Sequence, residues 1–132
     1  MTENREILIA EDNSITSLGI QSFFKEKGLN NIKIFESGEG VIKYVKFHKP
    51  SIIISDITLE GEIDGIEAME RISYIKKIPF IFITAHPEYL QLIKSYGLSP
   101  SKIFIKPFDF SELYSSVKQI LLKISQPALL KN

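Results

Sequence analysis

A chain of 132 residues has room for one domain with a proper core and little for a second. Sixteen basic and sixteen acidic side chains cancel, so the basic surplus that displaces counterions from a duplex is missing, which argues against direct nucleic-acid binding. With no cysteine and only His48 and His86, the composition excludes disulfides, thiolate nucleophiles, thiolate zinc sites and multi-histidine metal centres.

Ile7-Leu8-Ile9-Ala10 is a short apolar run whose β-branched content predicts a strand. Ile15, Leu18, Phe23 and Phe24 follow as the line of a helix that should stop at Gly28. Ile32–Phe35 predicts a second strand, and Val41, Ile42 and Val45 mark a second helix. Ile52–Ser55 is the third strand, with Ile66, Met69, Ile72 and Ile75 lining the helix after it. Phe80–Ile83 is the fourth, followed by Leu90, Ile93 and Tyr96 in a helix closed by Gly97. Lys102–Ile105 is the fifth. Asp109-Phe110-Ser111-Glu112 then reads as a capping box before Leu113, Val117, Ile120, Leu121 and Ile124 at helical spacing.

Three of the five strands are continuously apolar, as expected of parallel strands covered on both faces. Lys33 and Lys102 place the second and fifth nearer the sheet edges. Strand then helix, five times over, is an α/β pattern with right-handed crossovers. The expected division is a folded unit over residues 1–124 and a short tail over 125–132, in which Pro127 argues against the last helix continuing. No apolar run approaches the ~18 residues of a membrane span, and MTENRE lacks an apolar signal core, so a soluble cytoplasmic protein is expected.

Parallel α/β sheets bind ligands beyond the carboxyl ends of their strands. Those ends are Glu11-Asp12, Asp56, Thr84 and Lys106-Pro107. One acid at a strand end is usually a solvated loop residue, but here every inner strand ends in polar chemistry of one kind. Three carboxylates brought together repel and call for a cation. Oxygen ligands without His or Cys select a hard ion, Mg²⁺ above others. A Lys and a Thr hydroxyl beside such an ion suit a phosphoryl group, and a carboxylate can accept it as an acyl phosphate. Asp56, the single acid after the most apolar strand, is the best nucleophile.

Ile7-Leu8-Ile9-Ala10-Glu11-Asp12-Asn13, Ile54-Ser55-Asp56-Ile57, Asp64-Gly65-Ile66-Glu67, Phe82-Ile83-Thr84-Ala85 and Lys106-Pro107-Phe108 together resemble the receiver domain of two-component response regulators. The spacings agree: 44 residues from Asp12 to Asp56, 28 on to Thr84 and 22 on to Lys106. The resemblance implies a flavodoxin-like (βα)5 doubly wound sheet in the order 2-1-3-4-5. It implies Asp56 as phosphoacceptor for a histidine kinase or phosphotransfer protein, with Thr84 and Lys106 on the phosphoryl oxygens. Mg²⁺ would be held by Asp12, Asp56 and the Thr58 carbonyl, with Glu11 acting largely through water. A downstream protein would bind the face made by the fourth helix, fifth strand and fifth helix. Pro107 resembles the family's cis-proline turn.

Two features depart from the family pattern, Ile103 and the acidic loop Thr58-Leu59-Glu60-Gly61-Glu62-Ile63 with Thr two residues after Asp56. Ile103 stands where an aromatic switch residue is usual, and Phe104, facing the other way, belongs to the core. Thr58 and His86 flank the family's hydrolytic water path, although a loop His before Pro87 is more often a plain surface residue. His48 reads as solvated, and Gly38-Glu39-Gly40 fails the dinucleotide fingerprint because Lys43 stands where its third glycine should be. Tyr89, Tyr96 and Tyr114 read as amphipathic cover for the core rather than a partner surface.

A haloacid-dehalogenase-like phosphatase is the alternative from another class, with its strand-end Asp, Thr, Lys and Mg²⁺. It wants an Asp two residues after the nucleophile, and Thr58 is there instead. A flavodoxin-like electron carrier would share the topology, but Glu11-Asp12 would repel a flavin phosphate. A degenerate receiver that only binds proteins stays open as a further reading, although no site residue that the family requires is missing. The reading is a signalling phosphoacceptor that catalyses only its own phosphorylation and dephosphorylation.

Overall fold

The computed structural model describes residues 5–125. Five strands, β1 (Ile7–Ala10), β2 (Ile32–Phe35), β3 (Ile52–Asp56), β4 (Phe80–Thr84) and β5 (Lys102–Ile105), alternate with five helices. These are α1 (Ser14–Glu26), α2 (Gly38–Val45), α3 (Gly65–Ser73), α4 (Tyr89–Ser95) and α5 (Phe110–Ile124). The strands form one parallel sheet in the order β2-β1-β3-β4-β5. The two Lys-bearing strands are its edges, as their composition predicted. β3 and β4 each run one residue further than the apolar runs suggested, through Asp56 and Thr84.

Strand alternation splits the apolar runs between two cores. Leu8, Ala10, Ile53 and Phe82 face α2, α3 and α4, whereas Ile7, Ile9, Ile52, Ile54, Ile81 and Ile83 face α1 and α5. Fully burying one such side chain contributes ~1.5–3 kcal/mol, so both faces of the sheet are strongly committed to their helices. Phe104 lies in the α1/α5 core, and Ile103 packs partly buried on the opposite side, as the alternation required.

Helix α1 buries Phe24 and packs Phe23 against the core as expected, but its N-terminal half turns Ile15 and Leu18 outward. Ser17, Ile20 and Phe24 are its buried residues, while Ile15 is 85% and Leu18 55% exposed. The helix has apolar residues on more than one side, and the stripe that reaches the sheet is the one joined to Leu29. That residue is tied back by a bond from its amide to the Phe24 carbonyl (2.9 Å), and Gly28 donates to Lys25 (3.0 Å), closing the helix at the expected glycine. Ile75 and Tyr96, expected within helices, lie just past the ends of α3 and α4 and stay partly exposed, as do Leu90 and Ile124, and Ile93 alone is buried from α4. Asp109 caps α5 by accepting from the amide and hydroxyl of Ser111 (2.9 and 2.8 Å), so Ser111 takes the place expected of Glu112. The stop expected at Pro127 lies outside the described residues; α5 itself ends at Ile124 with Ser125 as its cap.

Candidate functional site

The sheet register brings the polar strand ends together. Ala10 pairs with Ser55, Asp56 with Ile83, and Thr84 with Ile105, so Glu11, Asp56, Thr84 and Lys106 arrive side by side on the carboxyl rim. Lys106 reaches back across β4: its Nζ donates to Asp56 Oδ2 (2.7 Å) and to Glu11 Oε1 (2.8 Å). The Lys106–Pro107 peptide is cis, as the resemblance implied. Glu11, Asp56 and Thr84 are buried, while Asp12 is exposed at the mouth.

Main-chain amides hold the remaining oxygens. Glu11 Oε2 accepts from the Asn13 amide (3.1 Å), and Asp56 Oδ1 accepts from the Thr58 amide (3.2 Å). Thr84 Oγ1 accepts from the His86 amide (3.0 Å), which leaves the hydroxyl proton to donate elsewhere. No buried side-chain polar atom among the described residues is without a hydrogen-bond partner. The start of α3 closes tightly beneath Asp56. The Gly65 amide donates to the Ile57 carbonyl (2.6 Å), and a Cβ at Gly65 would fall on the Asp56 carbonyl oxygen.

Burial raises the Glu11 carboxyl from its ordinary value of 4.5 to about 7, and the Asp56 charge adds to the rise. The Lys106 ammonium and the Asn13 amide oppose it without overcoming it. Burial also works against the Lys106 charge, but its bonds to Asp56 and Glu11 outweigh that and raise its pKa. Lys106 is thus a firmly held cation between two carboxylates.

Oxygens of Glu11, Asp12 and Asp56 all lie within 4.8 Å of one another. An all-carboxylate donor set of this size can hold a hard divalent cation and suits no soft metal. A groove of about 500 Å³ opens next to Lys106, lined by Thr16, Ala85, Pro107, Phe108 and Phe110. A larger groove of about 570 Å³, between Ile72, Lys77, Phe80 and Tyr96, lies at the opposite end of the strands and shares no residue with the rim.

His86 is half exposed, with Nδ1 3.4 Å from Glu88 Oε2. His48 is exposed and stacks on Tyr44 at 4.0 Å, a partner that its reading as solvated did not anticipate. Tyr89 packs against the α2–α4 core and Tyr114 against the α1/α5 core, both partly buried, whereas Tyr96 is 39% exposed. The residue that sequence reasoning missed is Glu39. In the sequence it stands out only within a glycine motif, yet its carboxylate accepts from the Glu62 amide (2.8 Å), 23 residues away. No local pattern signals a contact of that span.

The family model for the response regulator receiver domain matches residues 7–118. The chain belongs to the response regulator receiver family. The receiver is 32% identical over 122 residues to the probable transcriptional regulator ycf29 of Porphyra purpurea, covering 90% of this chain and 57% of that protein. It is 24% identical over 114 residues to the transcriptional regulatory protein PdtaR of Mycobacterium tuberculosis, covering 86% and 55%. The chain therefore spans little more than half the length of these curated relatives.

Among solved structures, the receiver resembles the N-terminal domain of a response regulator/sensory box/GGDEF protein from Carboxydothermus hydrogenoformans. That likeness has a TM-score of 0.81 at 26% identity, covering 91% of this chain and 96% of that one. The receiver domain of sensor histidine kinase PA1611 from Pseudomonas aeruginosa, described with magnesium in its active-site cleft, has the same fold. There the TM-score is 0.78 at 20% identity, with coverage of 89% and 97%. The family match leaves the phosphatase alternative without support. No described helix is long and apolar enough to cross a membrane.

Proposed function

We propose that Asp56 accepts a phosphoryl group from a histidine kinase or phosphotransfer protein. The observation that carries this is the Lys106 ammonium shared between Asp56 and Glu11, with the Thr84 hydroxyl at the adjoining strand end. A carboxylate oxygen of Asp56 attacks phosphorus, the P–N bond of the donor phosphohistidine breaks, and the imidazole leaves with the electron pair. Lys106 then pairs with a phosphoryl oxygen, and the Thr84 hydroxyl donates to another. Burial of Asp56 keeps competing water from all but the open side.

Glu11, Asp12, Asp56 and the Thr58 carbonyl would hold Mg²⁺, Glu11 largely through water; the clustered carboxylate oxygens of Glu11, Asp12 and Asp56 support this assignment. When bound, the ion neutralises charge on the transferring group. The chemistry ends with the chain's own phosphorylation and dephosphorylation, so the protein acts as a signal carrier rather than a catalyst of other reactions. The receiver unit runs through the end of α5 at Ile124. The α4–β5–α5 face, where Leu90, Leu92, Tyr96 and Ile105 are partly exposed, is the surface for a downstream protein. The balanced charge favours a protein partner there over nucleic acid, in a cytoplasmic setting.

Intact-mass measurement after treatment with a small acyl phosphate tests the assignment. One added phosphoryl group is expected with Mg²⁺ and none in chelator. Undiminished labelling of Asp56→Asn would overturn it.

A further inference from the structure

The segment from Ile57 to Asp64, between β3 and α3, carries three acids, yet it is fastened at its base and at its tip. At the base, the Gly65 and Thr58 amides bond to Ile57 and Asp56. At the tip, Glu60 pairs with Ser37, the N-cap of α2, as an isolated parallel bridge. In the first turn of α2, Glu39 Oε2 accepts from the Glu62 amide (2.8 Å). Gly61 between them has φ +103°, and a Cβ there would stand 2.6 Å from Glu39 Oε1. The carboxylate therefore lies flat on the one residue of the loop that has no side chain to displace it.

Like charges on Glu60 and Glu62 should push an exposed carboxylate away from this loop. Main-chain amides of Glu62 and of Glu39 itself hold it instead, and they also keep its carboxyl below the usual range. Only Leu59 separates the bridged Glu60 from Thr58, and Leu59 packs partly buried against the core under α2 and α3. With so little slack, a shift of the tip carries through to the Thr58 main chain.

We propose that Glu39 is a positioning residue: by clamping Gly61 and Glu62 it sets the loop that holds the Thr58 amide on Asp56. The consequence for metal and phosphoryl binding rests on the phosphoacceptor reading above; the clamp itself does not.

The test uses the full chain and the variants Glu39→Ala and Glu39→Gln. Three quantities are read: amide exchange at Thr58 and Glu62 in chelator, Mg²⁺ affinity by titrated amide shifts, and labelling by a small acyl phosphate. Glu39→Ala is expected to speed exchange at both amides about tenfold, the scale of one lost hydrogen bond. It should weaken Mg²⁺ several-fold, up to about tenfold. Glu39→Gln keeps an acceptor oxygen and should restore both to within about twofold of the parent. Faster exchange at Glu62 alone, with Thr58 and Mg²⁺ affinity as in the parent, would overturn the proposal. So would Glu39→Gln behaving like Glu39→Ala, since charge and not the hydrogen bond would then be responsible. If the parent takes no phosphoryl group while Glu39→Ala still loosens Thr58 and weakens Mg²⁺, the clamp stands and the phosphoacceptor reading falls.

Discussion

Replacing Glu11 with Gln isolates the electrostatic cost built into the rim. The Glu11 side chain is fully enclosed, and its carboxyl titrates at about 7 instead of 4.5. Between those values the folded chain keeps a proton that the unfolded chain has released. Stability conferred by that proton is fully present below pH 4.5 and is lost as pH rises toward 7. The rise from 4.5 to about 7, at ~1.4 kcal/mol per pH unit, amounts to about 3 kcal/mol. Gln resembles the protonated acid in shape and cannot ionise, so it escapes this loss. In chelator the two proteins should be equally stable near pH 4.5. By pH 7.5 Glu11→Gln should be more stable by about 3 kcal/mol, or roughly 10 °C in Tm for a chain of this size. Urea unfolding followed by circular dichroism at several pH values measures the gap directly. Excess Mg²⁺ should narrow it, because binding stabilises the parent by mass action and the variant has one carboxylate fewer for the ion. A gap that stays constant with pH, or a parent that is the more stable protein at pH 7.5, would refute the account of Glu11 as a desolvated acid.

Lys106→Met leaves two buried carboxylates without their cation, and should cost about 3 kcal/mol in chelator at pH 7.5 and less at pH 5, where Glu11 is neutral; denaturant melts at the two pH values check both the size and the trend. Gly65→Ala forces a methyl onto the Asp56 carbonyl oxygen, and a loss of about 3 kcal/mol with impaired phosphoryl labelling is expected in melts and mass measurements. Asn13 Oδ1 accepts from the Ile15 and Thr16 amides (2.9 and 3.3 Å), so Asn13→Ala should destabilise by about 1 kcal/mol, read by the same melts.

The strand–helix alternation, the two Lys-marked edges and the polar residues that end the strands were legible along the chain. Their signals are local: runs of β-branched residues, a glycine after a helix, and a polar residue where an apolar run ends. Four such strand ends left few alternatives, because a parallel sheet must deliver them to one rim. Local pattern was less informative where two answers satisfied it equally. In α1, Ile15–Leu18 and Ile20–Phe24 are both spaced for a helix, and only docking on the sheet decided that the first pair faces outward.

Distances across the chain were beyond local pattern altogether. Glu11 and Asp12 are neighbours of the same charge, yet the first is sealed beneath Lys106, 95 residues away, while the second meets solvent. The elevated Glu11 pKa follows from that enclosure and from nothing in its own segment. Glu39 closing on Glu62 is the same kind of fact. Secondary structure and strand-end chemistry arise from neighbours in sequence, whereas desolvation, ion pairing and the clamping of a loop depend on which distant groups the packed sheet and helices bring within 3 Å.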